Sequence, residues 1–424
     1  MTTAEYPIHS RLPGTGPAAS LRLVGGRVAL DSSTPVRADL EIADGRIVRL
    51  VGQNGNGRRP KGTKSKGPSA DISVEGCLIL PGLVNAHDHL EFNLFPRLGC
   101  GPYSNFEQWA NDIFHPERSP VREHLAIPKR VRLWWGGLKN LLSGVTSVCH
   151  HNPYEETTFG GDFPVRVLRR YGWAHSLRFG TNVRESFLST PPGAPFVIHL
   201  GEGTDRVSQR EIFDLGALGA LDSRTVIVHG VGLTARGHAL RRRRGVALVW
   251  CPTSNRFTLG ATLDAALIKR GDRIALGSDS ALTAEGDLLD EIRAAKREGM
   301  NPNRIYSMVT ESGANVLRLE DGEGTLRPST VADLAVVRWQ DKTPAETLIK
   351  TRLEAIKMVL VSGRPQMVSA QMTPCCPQEL LHEFEEIEVE GASCFVRAPV
   401  GWLLKESRKF LGSDVRLAGK RVRT

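Results

Sequence analysis

The chain has 424 residues, of which 40% are hydrophobic and 24% are charged, a composition typical of globular proteins. Its content of Val, Leu and Ile excludes a disordered chain, and no apolar run reaches the roughly 18 residues that cross a bilayer. The formal charge of +9 is concentrated in residues 58–66, 241–244 and 405–424. No pattern of interleaved aromatic residues accompanies these segments, so we predict solvated surfaces and neither a nucleic-acid nor a membrane partner.

The N-terminal part of the chain and a later stretch share the pattern of short β-strands. Residues 1–19 are rich in Pro and Gly, and we expect a flexible tail there. Residues 21–51 show alternating β-branched runs broken by turn residues, and another strand is predicted over 71–80. The same pattern returns in the last third of the chain. We therefore predict a small composite β-sandwich domain built from residues 20–80 and 323–370.

The middle of the chain, residues 81–322, alternates apolar strands with helical stretches. Strands are predicted at 78–84, 146–149, 173–177, 196–199, 226–228, 247–250 and 274–276. Helices are predicted at 121–142, 211–218 and 288–298. Repeated strand–helix units predict an α/β fold with a parallel sheet, either doubly wound or closed into a barrel.

Two parts of the chain depart from this pattern. Only 54 positions separate Val145 from His199, where three strand–helix units normally fit, so we expect a reduced or irregular fourth strand and helix. Residues 371–424 match neither block. They contain an acidic alternating strand at 384–390 and a basic, helical end, and we treat them as an extension of unknown role.

The cysteines and the N-terminus bear on the cellular compartment. The seven cysteines are odd in number and contain no CxxC pair, which favours a reduced chain over a disulfide framework. The first twenty residues lack the basic start and apolar stretch of a secretory signal. We therefore expect a cytoplasmic protein.

Histidines and carboxylates stand at the ends of the predicted strands. His87 and His89 are two positions apart on an extended segment, so both imidazoles can face one metal ion. His199, His229 and Asp279 each end a later strand. Taken singly, each has an ordinary alternative as a hydrogen-bonded core histidine or a capping aspartate. In a (β/α)₈ barrel, however, such ends converge on one face, where active sites are built.

Five motifs, in the right order, resemble the amidohydrolase superfamily. PGLVNAHDHLEFN (81–93) resembles its PG-x-x-N-x-H-x-H signature, and HLGE (199–202) resembles its HxxE step. VHG (228–230), CPTSN (251–255) and LGSDS (276–280) resemble the later motifs of its subgroup of cytosine-, guanine-, S-adenosylhomocysteine- and triazine-type deaminases and chlorohydrolases. The resemblance covers roughly residues 21–369. It implies a (β/α)₈ TIM-like barrel over 81–322 beside the small β-domain.

The resemblance also implies a ligand set and catalytic roles. His87, His89, His199 and Asp279 would hold one divalent ion, with Zn²⁺ as the first choice and Fe²⁺ or Mn²⁺ as alternatives. Asp279 and His229 would take the proton of the attacking water. Glu202 would protonate the substrate ring and then the leaving group, provided that it curls back where Gly201 and Gly203 allow it.

A single metal ion is expected because of a missing lysine. Binuclear members of the superfamily bridge two metals with a carboxylated lysine on the fourth strand. This sequence has no Lys between Lys139 and Lys269, the span that includes strands two to seven. A lysine-bridged metal pair is therefore excluded from the predicted barrel.

Four further residues are weaker candidates for substrate binding. His150 and His151 follow the second predicted barrel strand, and the alternative for each is a buried histidine bonded to backbone. Trp109 lies on the long loop after His89, where an aromatic cluster packing a lid is an equal alternative. Asn255 lies in the CPTSN turn, where an asparagine often braces a loop.

The predicted function is that of a metal-dependent hydrolase acting on carbon–nitrogen bonds other than peptide bonds. The expected reaction is hydrolytic deamination of a small nitrogen heterocycle by metal-activated water. Hydrolysis of a cyclic amide or a carbon–halogen bond at the same site is one alternative, and a non-catalytic scaffold on this fold is another. The resemblance also allows a homodimer.

Overall fold

The computed structural model describes residues 20–52, 70–179, 182–268 and 271–424. The predicted flexible tail at 1–19 and the basic segment at 58–66 lie outside the described residues. The strands are, in chain order, β1 (Leu21–Val24), β2 (Arg27–Val28), β3 (Val36–Ala43), β4 (Arg46–Gly52), β5 (Ala70–Ser73), β6 (Cys77–Pro81), β7 (Leu83–Asp88), β8 (Val145–His150), β9 (Arg166–Val167), β10 (Gly172–Ala174), β11 (Phe196–Leu200), β12 (Thr225–His229), β13 (Ala247–Trp250), β14 (Ile274–Leu276), β15 (Leu334–Arg338), β16 (Ile356–Val361), β17 (Arg364–Ser369), β18 (Glu385–Val389), β19 (Ala392–Val396), β20 (Arg416–Leu417) and β21 (Lys420–Arg423).

The α-helices of the described residues lie mostly between or beside the parallel strands. They are α1 (Phe106–Ile113), α2 (Val121–Ala126), α3 (Lys129–Leu142), α4 (Val183–Leu188), α5 (Arg206–Ala217), α6 (Ala235–Arg243), α7 (Pro252–Leu259), α8 (Leu288–Arg297), α9 (Pro302–Met308), α10 (Glu311–Leu317), α11 (Pro344–Lys350), α12 (Gln378–Leu381) and α13 (Val400–Leu411).

The two ends of the chain combine in one 13-stranded sheet. Strand β6 pairs antiparallel with β15, from Leu334 opposite Pro81 to Arg338 opposite Cys77, which joins the N-terminal strands to the C-terminal ones. Alternate side chains of β1, β3, β15 and β16 meet in a separate apolar core on one face of this sheet. The composite β-structure thus forms from distant segments, while the domain limits 20–80, 81–322 and 323–370 stay predictions.

Two parallel sheets form the α/β part of the molecule. Strands β10 to β14 make a five-stranded sheet in chain order, and β7, β8 and β9 make a three-stranded one. Small and β-branched side chains such as Ala86, Val197, Val226 and Ala247 pack together on the inner side of these strands. Together the two sheets contain eight parallel strands in a barrel-like α/β arrangement.

The helix expected over 121–142 is two helices. Pro128 separates α2 from α3, and Ile127 before it is extended with ψ of 130°. Proline disfavours a helical conformation in the residue before it and contributes no backbone N–H, so the first helix ends there.

Between β8 and β11 the structure has two short strands, β9 and β10, where the sequence predicted a single strand at 173–177. Strands β9 and β10 have only two and three residues, and the described residues between β8 and β10 contain no helix. The shortening therefore falls on the third and fourth strands and on the connections after β8 and β9, and α4 is retained. This explains how 54 positions hold this part of the sheet.

The C-terminal extension continues the large sheet. Strand β19 pairs with β17, and β18, β21 and β20 follow outward from it. Helix α13 packs against α2 and α3, where the indole N–H of Trp135 donates to the Ser407 hydroxyl at 2.9 Å. Residues 371–424 are thus packed on both parts of the molecule.

The basic run at 241–244 is only partly solvated. Arg241 is 1% exposed, and its guanidinium forms an ion pair with Asp272 at 2.8 Å. The prediction of a solvated surface is wrong for this residue, because helix α6 turns one of its consecutive arginines into the interior. Within the described residues, every helix is too short or too polar to cross a membrane.

Candidate metal and catalytic site

The predicted metal ligands come together at the ends of β7, β11 and β14. The Nε2 atom of His199 lies 3.3 Å from the Nε2 atoms of both His87 and His89. The Asp279 Oδ1 atom lies 3.7 Å from His87 Nε2 and 3.9 Å from His89 Nε2. Three nitrogens and one carboxylate oxygen thus lie close together, and two groups of three potential ligands overlap at His87: one with His89 and Asp279, the other with His199 and His229.

These distances fit a divalent ion. A tetrahedral ion with metal–nitrogen bonds of about 2.0–2.1 Å holds its ligand atoms about 3.3 Å apart. The Nδ1 atom of His199 donates to the His175 carbonyl at 2.8 Å, so its Nε2 carries a lone pair. Facing nitrogen lone pairs repel each other unless a cation lies between them.

A chain of hydrogen bonds orients His87 for metal binding. His151 Nε2 lies 2.9 Å from the Ala174 carbonyl oxygen, which only accepts, so this nitrogen carries the proton. His151 Nδ1 is then an acceptor, and His87 Nδ1, at 3.3 Å, donates to it. This leaves the lone pair of His87 on Nε2, toward the site.

His229 reaches the site through an unusual backbone conformation. In β12, Val226 and Val228 face the interior, so the alternation of a strand would send His229 outward. Its φ of 70° turns the chain and brings its Nε2 into the cluster, where it lies within 4.8 Å of ligand atoms of His87 and His199. A positive φ at a residue other than glycine is strained and is common at functional sites.

Asn255 fixes the orientation of His229. Its Oδ1 accepts a hydrogen bond from His229 Nδ1 at 2.8 Å, so His229 Nε2 presents a lone pair. Asn255 is 1% exposed and its Nδ2 donates to Thr262. The structure therefore gives Asn255 a bracing contact rather than a free amide.

Asp279 is held by several donors and also has a positive φ, of 51°. The Ser254 hydroxyl donates to Oδ2 at 2.7 Å, and the Ser280 N–H donates to Oδ1 at 2.7 Å. Burial alone would raise the pKa of Asp279, but nearby His89 and His229 and these hydrogen bonds hold the pKa below its ordinary value. The carboxylate is therefore ionised and available as a ligand.

Glu202 lies beside His229 in a buried loop. Its Oε2 is 3.6 Å from His229 Nε2, and Gly201 before it has a φ of 65°, which lets the chain curl back. Burial raises the pKa of Glu202 to about 7, with a smaller contribution from the Asp279 charge. A carboxyl of this kind can both give and take a proton near neutral pH.

Helix α5 supports the Glu202 loop from behind. The Glu211 carboxylate accepts a hydrogen bond from the Gly201 N–H at 2.6 Å. Burial also raises the pKa of Glu211 to about 7. On the other side, the Phe106 N–H of α1 donates to the Glu202 carbonyl at 3.0 Å, so two helices fix this loop.

A buried ion pair lies behind the His87–His89 segment. Asp88, between the two histidines, is fully buried, and its Oδ2 lies 2.9 Å from Lys139 Nζ of α3. The same ammonium donates to the Ser278 hydroxyl and to the Asp279 carbonyl, both at 3.0 Å. One lysine thus links the strand end that carries His87 and His89 to the one that carries Asp279.

The sequence suggests His150 and His151 for substrate binding, whereas the structure encloses both side chains in protein. Both are 0% exposed. The Leu90 N–H donates to His150 Nδ1 at 3.3 Å, and His150 Nε2 faces the Glu91 carboxylate at 3.6 Å. Both ring nitrogens of each histidine thus face protein atoms, which favours the alternative of a buried histidine, and a role in substrate binding stays a prediction.

Trp109 lines a cavity of about 520 Å³ that begins at His89. Its indole N–H donates to the Leu98 carbonyl at 2.9 Å, and its ring packs with Phe95, Val121 and Leu282. Trp109 is therefore both part of the lid packing and part of the cavity wall.

Three residues near the site escaped the sequence analysis. His175 follows β10, lines the cavity and supplies the carbonyl that binds His199; burial lowers the pKa of its ring to about 4. Because His175 stands just after a strand, like the predicted ligands, its position could have marked it as a site residue. Glu91 and Lys139 gave none, because their contacts join parts of the chain far apart in sequence.

Comparison with known proteins places this geometry in context. Residues 192–366 match the sequence model of the amidohydrolase family. A 5-methylthioadenosine/S-adenosylhomocysteine deaminase of Teredinibacter turnerae is 25% identical over 385 residues, covering 73% of this chain and 84% of the relative.

Two solved structures share the fold. An adenosine deaminase from Xanthomonas campestris with bound zinc has a TM-score of 0.65 at 17% identity, covering 93% of this chain and 98% of its own. A mutant of an atrazine chlorohydrolase from Arthrobacter aurescens, complexed with zinc and atraton, has a TM-score of 0.64 at 16% identity, covering 82% and 95%.

Proposed function

We propose that this chain is a metal-dependent hydrolase of the amidohydrolase superfamily that deaminates a small nitrogen heterocycle. In the overall reaction a water oxygen replaces the amino group on a ring carbon, and ammonia leaves. The observation that carries the proposal is the convergence of three imidazole nitrogens and one carboxylate beside an uncoordinated, buried glutamate.

The ligands in this proposal are His87, His89, His199 and Asp279. A divalent ion bound there, Zn²⁺ first with Fe²⁺ or Mn²⁺ as alternatives, supplies Lewis acidity that lowers the pKa of a coordinated water toward neutrality. The His151–His87 and His175–His199 hydrogen bonds support this assignment, because they direct both Nε2 lone pairs to one point.

His229, Asp279 and Glu202 divide the proton transfers. His229 Nε2 and the Asp279 carboxylate accept the proton of the attacking water. Glu202 donates its own proton to the ring nitrogen next to the reacting carbon, and then passes the second proton of the water from the new C–OH group to the amino group, which leaves as ammonia. The first water proton returns from His229 and Asp279 to Glu202, so that the acid is restored and the protons balance. The amino group must be protonated because its unprotonated anion is a very poor leaving group.

The other reactions remain alternatives on the same residues. The similarity to a chlorohydrolase structure concerns the fold alone. The groups that transfer protons in the proposed site also suit hydrolysis of a cyclic amide or a carbon–halogen bond. A scaffold without catalysis is disfavoured because the full ligand set and Glu202 are present.

We extend the proposal to the architecture. The two parallel sheets are proposed to close into one (β/α)₈ barrel, since the N–H groups of Ser278 and Asp279 donate to the His87 carbonyl at 3.0 and 3.1 Å. Those bonds join the end of β14 to β7. A cytoplasmic location and a homodimer stay predictions.

Glu202 and His199 give the decisive pair of variants. Glu202→Gln keeps the size of the side chain but removes the acid, so it should retain metal while turnover falls by on the order of 10²–10⁴. His199→Ala should lose metal and activity together. Ammonia release from a panel of aminopurines, aminopyrimidines and aminotriazines, with metal analysis of each variant, measures both effects.

Two results would contradict these roles. If Glu202→Gln loses its metal, Glu202 is a ligand and the proposed coordination set is incorrect. If it retains both metal and near-normal turnover, the proton shuttle lies on another residue. Ammonia release by none of the panel, together with release of halide or opening of a cyclic amide, would select an alternative reaction.

A further inference from the structure

The cavity beside His89 has an apolar wall. It encloses about 520 Å³, within the range of roughly 300–1,000 Å³ found for sites that bind drug-sized ligands. Phe92, Phe95, Ile113, Leu125 and Leu282 contribute to its lining, at the junction of α1 and α2. The space extends well beyond what a single six-membered ring beside His89 needs.

The charged groups in the lining are already engaged by protein. The Glu91 Oε1 atom accepts a hydrogen bond from Asn152 Nδ2 at 2.6 Å, and its Oε2 faces His150 Nε2 at 3.6 Å. Lys129 forms an ion pair with Glu155. These contacts engage both charged side chains, and the exposed amide of Asn111 is a polar group on an otherwise largely apolar described wall.

The lining also includes two exposed aromatic side chains. Phe114, at the end of α1, is 65% exposed, and Phe179 is 57% exposed; both line the cavity. Single exposed apolar side chains are common, whereas apolar side chains that line one continuous surface indicate a binding site. Their position extends the apolar wall from the interior to solvent.

We propose that the substrate is an amino-substituted heterocycle with an apolar alkyl or aryl substituent, which fills this cavity while the amino-bearing ring faces His89. The inference rests on the proposed function and narrows its substrate class. A sugar in the same place would bury more hydroxyl groups against the apolar wall than the Asn111 amide can bind, and burial of a hydroxyl without a partner is costly. The cavity therefore distinguishes this chain from an enzyme specific for ribosylated rings.

Matched ligands test the proposal because they change only the substituent. One pair is 9-cyclopentyladenine and adenosine, and a second is an aminotriazine bearing either a propylamino or a 2,3-dihydroxypropylamino group. Binding to the metal-loaded protein is measured by calorimetry, and ammonia release is measured on the same compounds. We expect the apolar member of at least one pair to bind at least tenfold more tightly than its hydroxylated partner.

Wall variants locate the preference in this cavity. Ile113→Asn combined with Phe114→Ser should reduce the preference for the apolar ligand at least threefold. Phe410→Ser is the matched control, since Phe410 is 39% exposed on α13 and is not among the residues that line the cavity; it should leave the preference unchanged.

The outcomes separate this inference from the reaction itself. Tighter binding of the hydroxylated members, equal binding, or no binding of either pair overturns the apolar substrate class, whatever ammonia is released. A preference that survives Ile113→Asn/Phe114→Ser also overturns it. Apolar preference without ammonia from any compound supports the cavity assignment and counts against deamination.

Discussion

At the scale of single residues, the site depends on which nitrogen of each histidine carries the proton. His199 and His229 donate from Nδ1 to protein oxygens, whereas His87 donates to another imidazole, that of His151. Hydrogen bonds from the ring nitrogen that faces away from the metal fix the orientation of a histidine and raise its basicity as a ligand. Two strained residues, His229 and Asp279, complete the geometry at a cost of about 1–3 kcal/mol each.

His151→Phe should weaken metal binding. The phenyl ring retains the stacking on His199, where the ring centroids are 4.1 Å apart, but cannot accept the proton of His87. We expect the metal dissociation constant to rise by about 10–100-fold, measured by competition with a chelator. His238→Phe, at a buried histidine on α6, is the control. Equal metal affinity in both variants and the wild type would rule out the orienting role of His151.

At the scale of elements, α3 and α5 contact, from behind, the strand ends that carry the proposed site. Lys139 of α3 compensates the charge of Asp88, and Glu211 of α5 binds the loop that carries Glu202. Both side chains belong to helices rather than to the ligand-bearing strands. The helices therefore set the positions of groups that the strands carry.

Lys139→Met should destabilise the protein because Asp88 is then left buried without its cation. Loss of one partner of a buried pair costs about 3–5 kcal/mol, and the amide donors around Asp88 favour the lower end. Lys129→Met on the same helix removes a lysine that is paired with Glu155 and 43% exposed, and it should cost below about 1 kcal/mol. Thermal unfolding at equal metal loading compares them, and equally small losses would contradict a buried charge pair.

The raised pKa of Glu211 predicts how the free energy of unfolding changes with pH. The pKa of Glu211 is about 7 in the folded protein, whereas its ordinary value is 4.5. The stability that the protonated Glu211 contributes to the folded state is therefore fully present below pH 4.5 and is lost as the pH rises to about 7. Glu211→Gln has no charge to bury. The unfolding temperature of the wild type should therefore fall more between pH 5 and pH 8 than that of Glu211→Gln. Glu354→Gln, at an exposed position, should follow the wild type; identical slopes in all three proteins would contradict the shift.

At the scale of the whole molecule, the alternation of apolar strands and helical stretches predicted most of the parallel strands. The parallel strands at 146–149, 196–199, 226–228, 247–250 and 274–276 agree with the structure to within one or two residues. The shortened third and fourth strands were not separable by pattern, because runs of two and three residues carry no periodicity. In the extension at 371–424, the predicted strand and helix agree with β18 and α13, but the place of this segment in the fold was not predictable because its pairing with β17 depends on long-range contact.

The site divides in the same way. Strand-end positions and the family resemblance together proposed His87, His89, His199, His229, Asp279 and Glu202, and the structure brings these side chains close together. The sequence assigned His150 and His151 to the substrate side, although exposure cannot be deduced from a pattern. The Lys139–Asp88 pair joins residues 51 positions apart and only the fold brings them together.

Metal content tests the central claim most directly. We expect about one divalent ion per chain in the purified protein, since His87, His89, His199 and Asp279 offer ligand atoms close together and residues 140–268 contain no lysine to bridge a second ion. Elemental analysis measures the ratio, and anomalous scattering from crystals locates the ion. One ion bound by His87, His89, His199 and Asp279 is the predicted result, whereas two tightly held ions, about 3.5–4 Å apart, would contradict it.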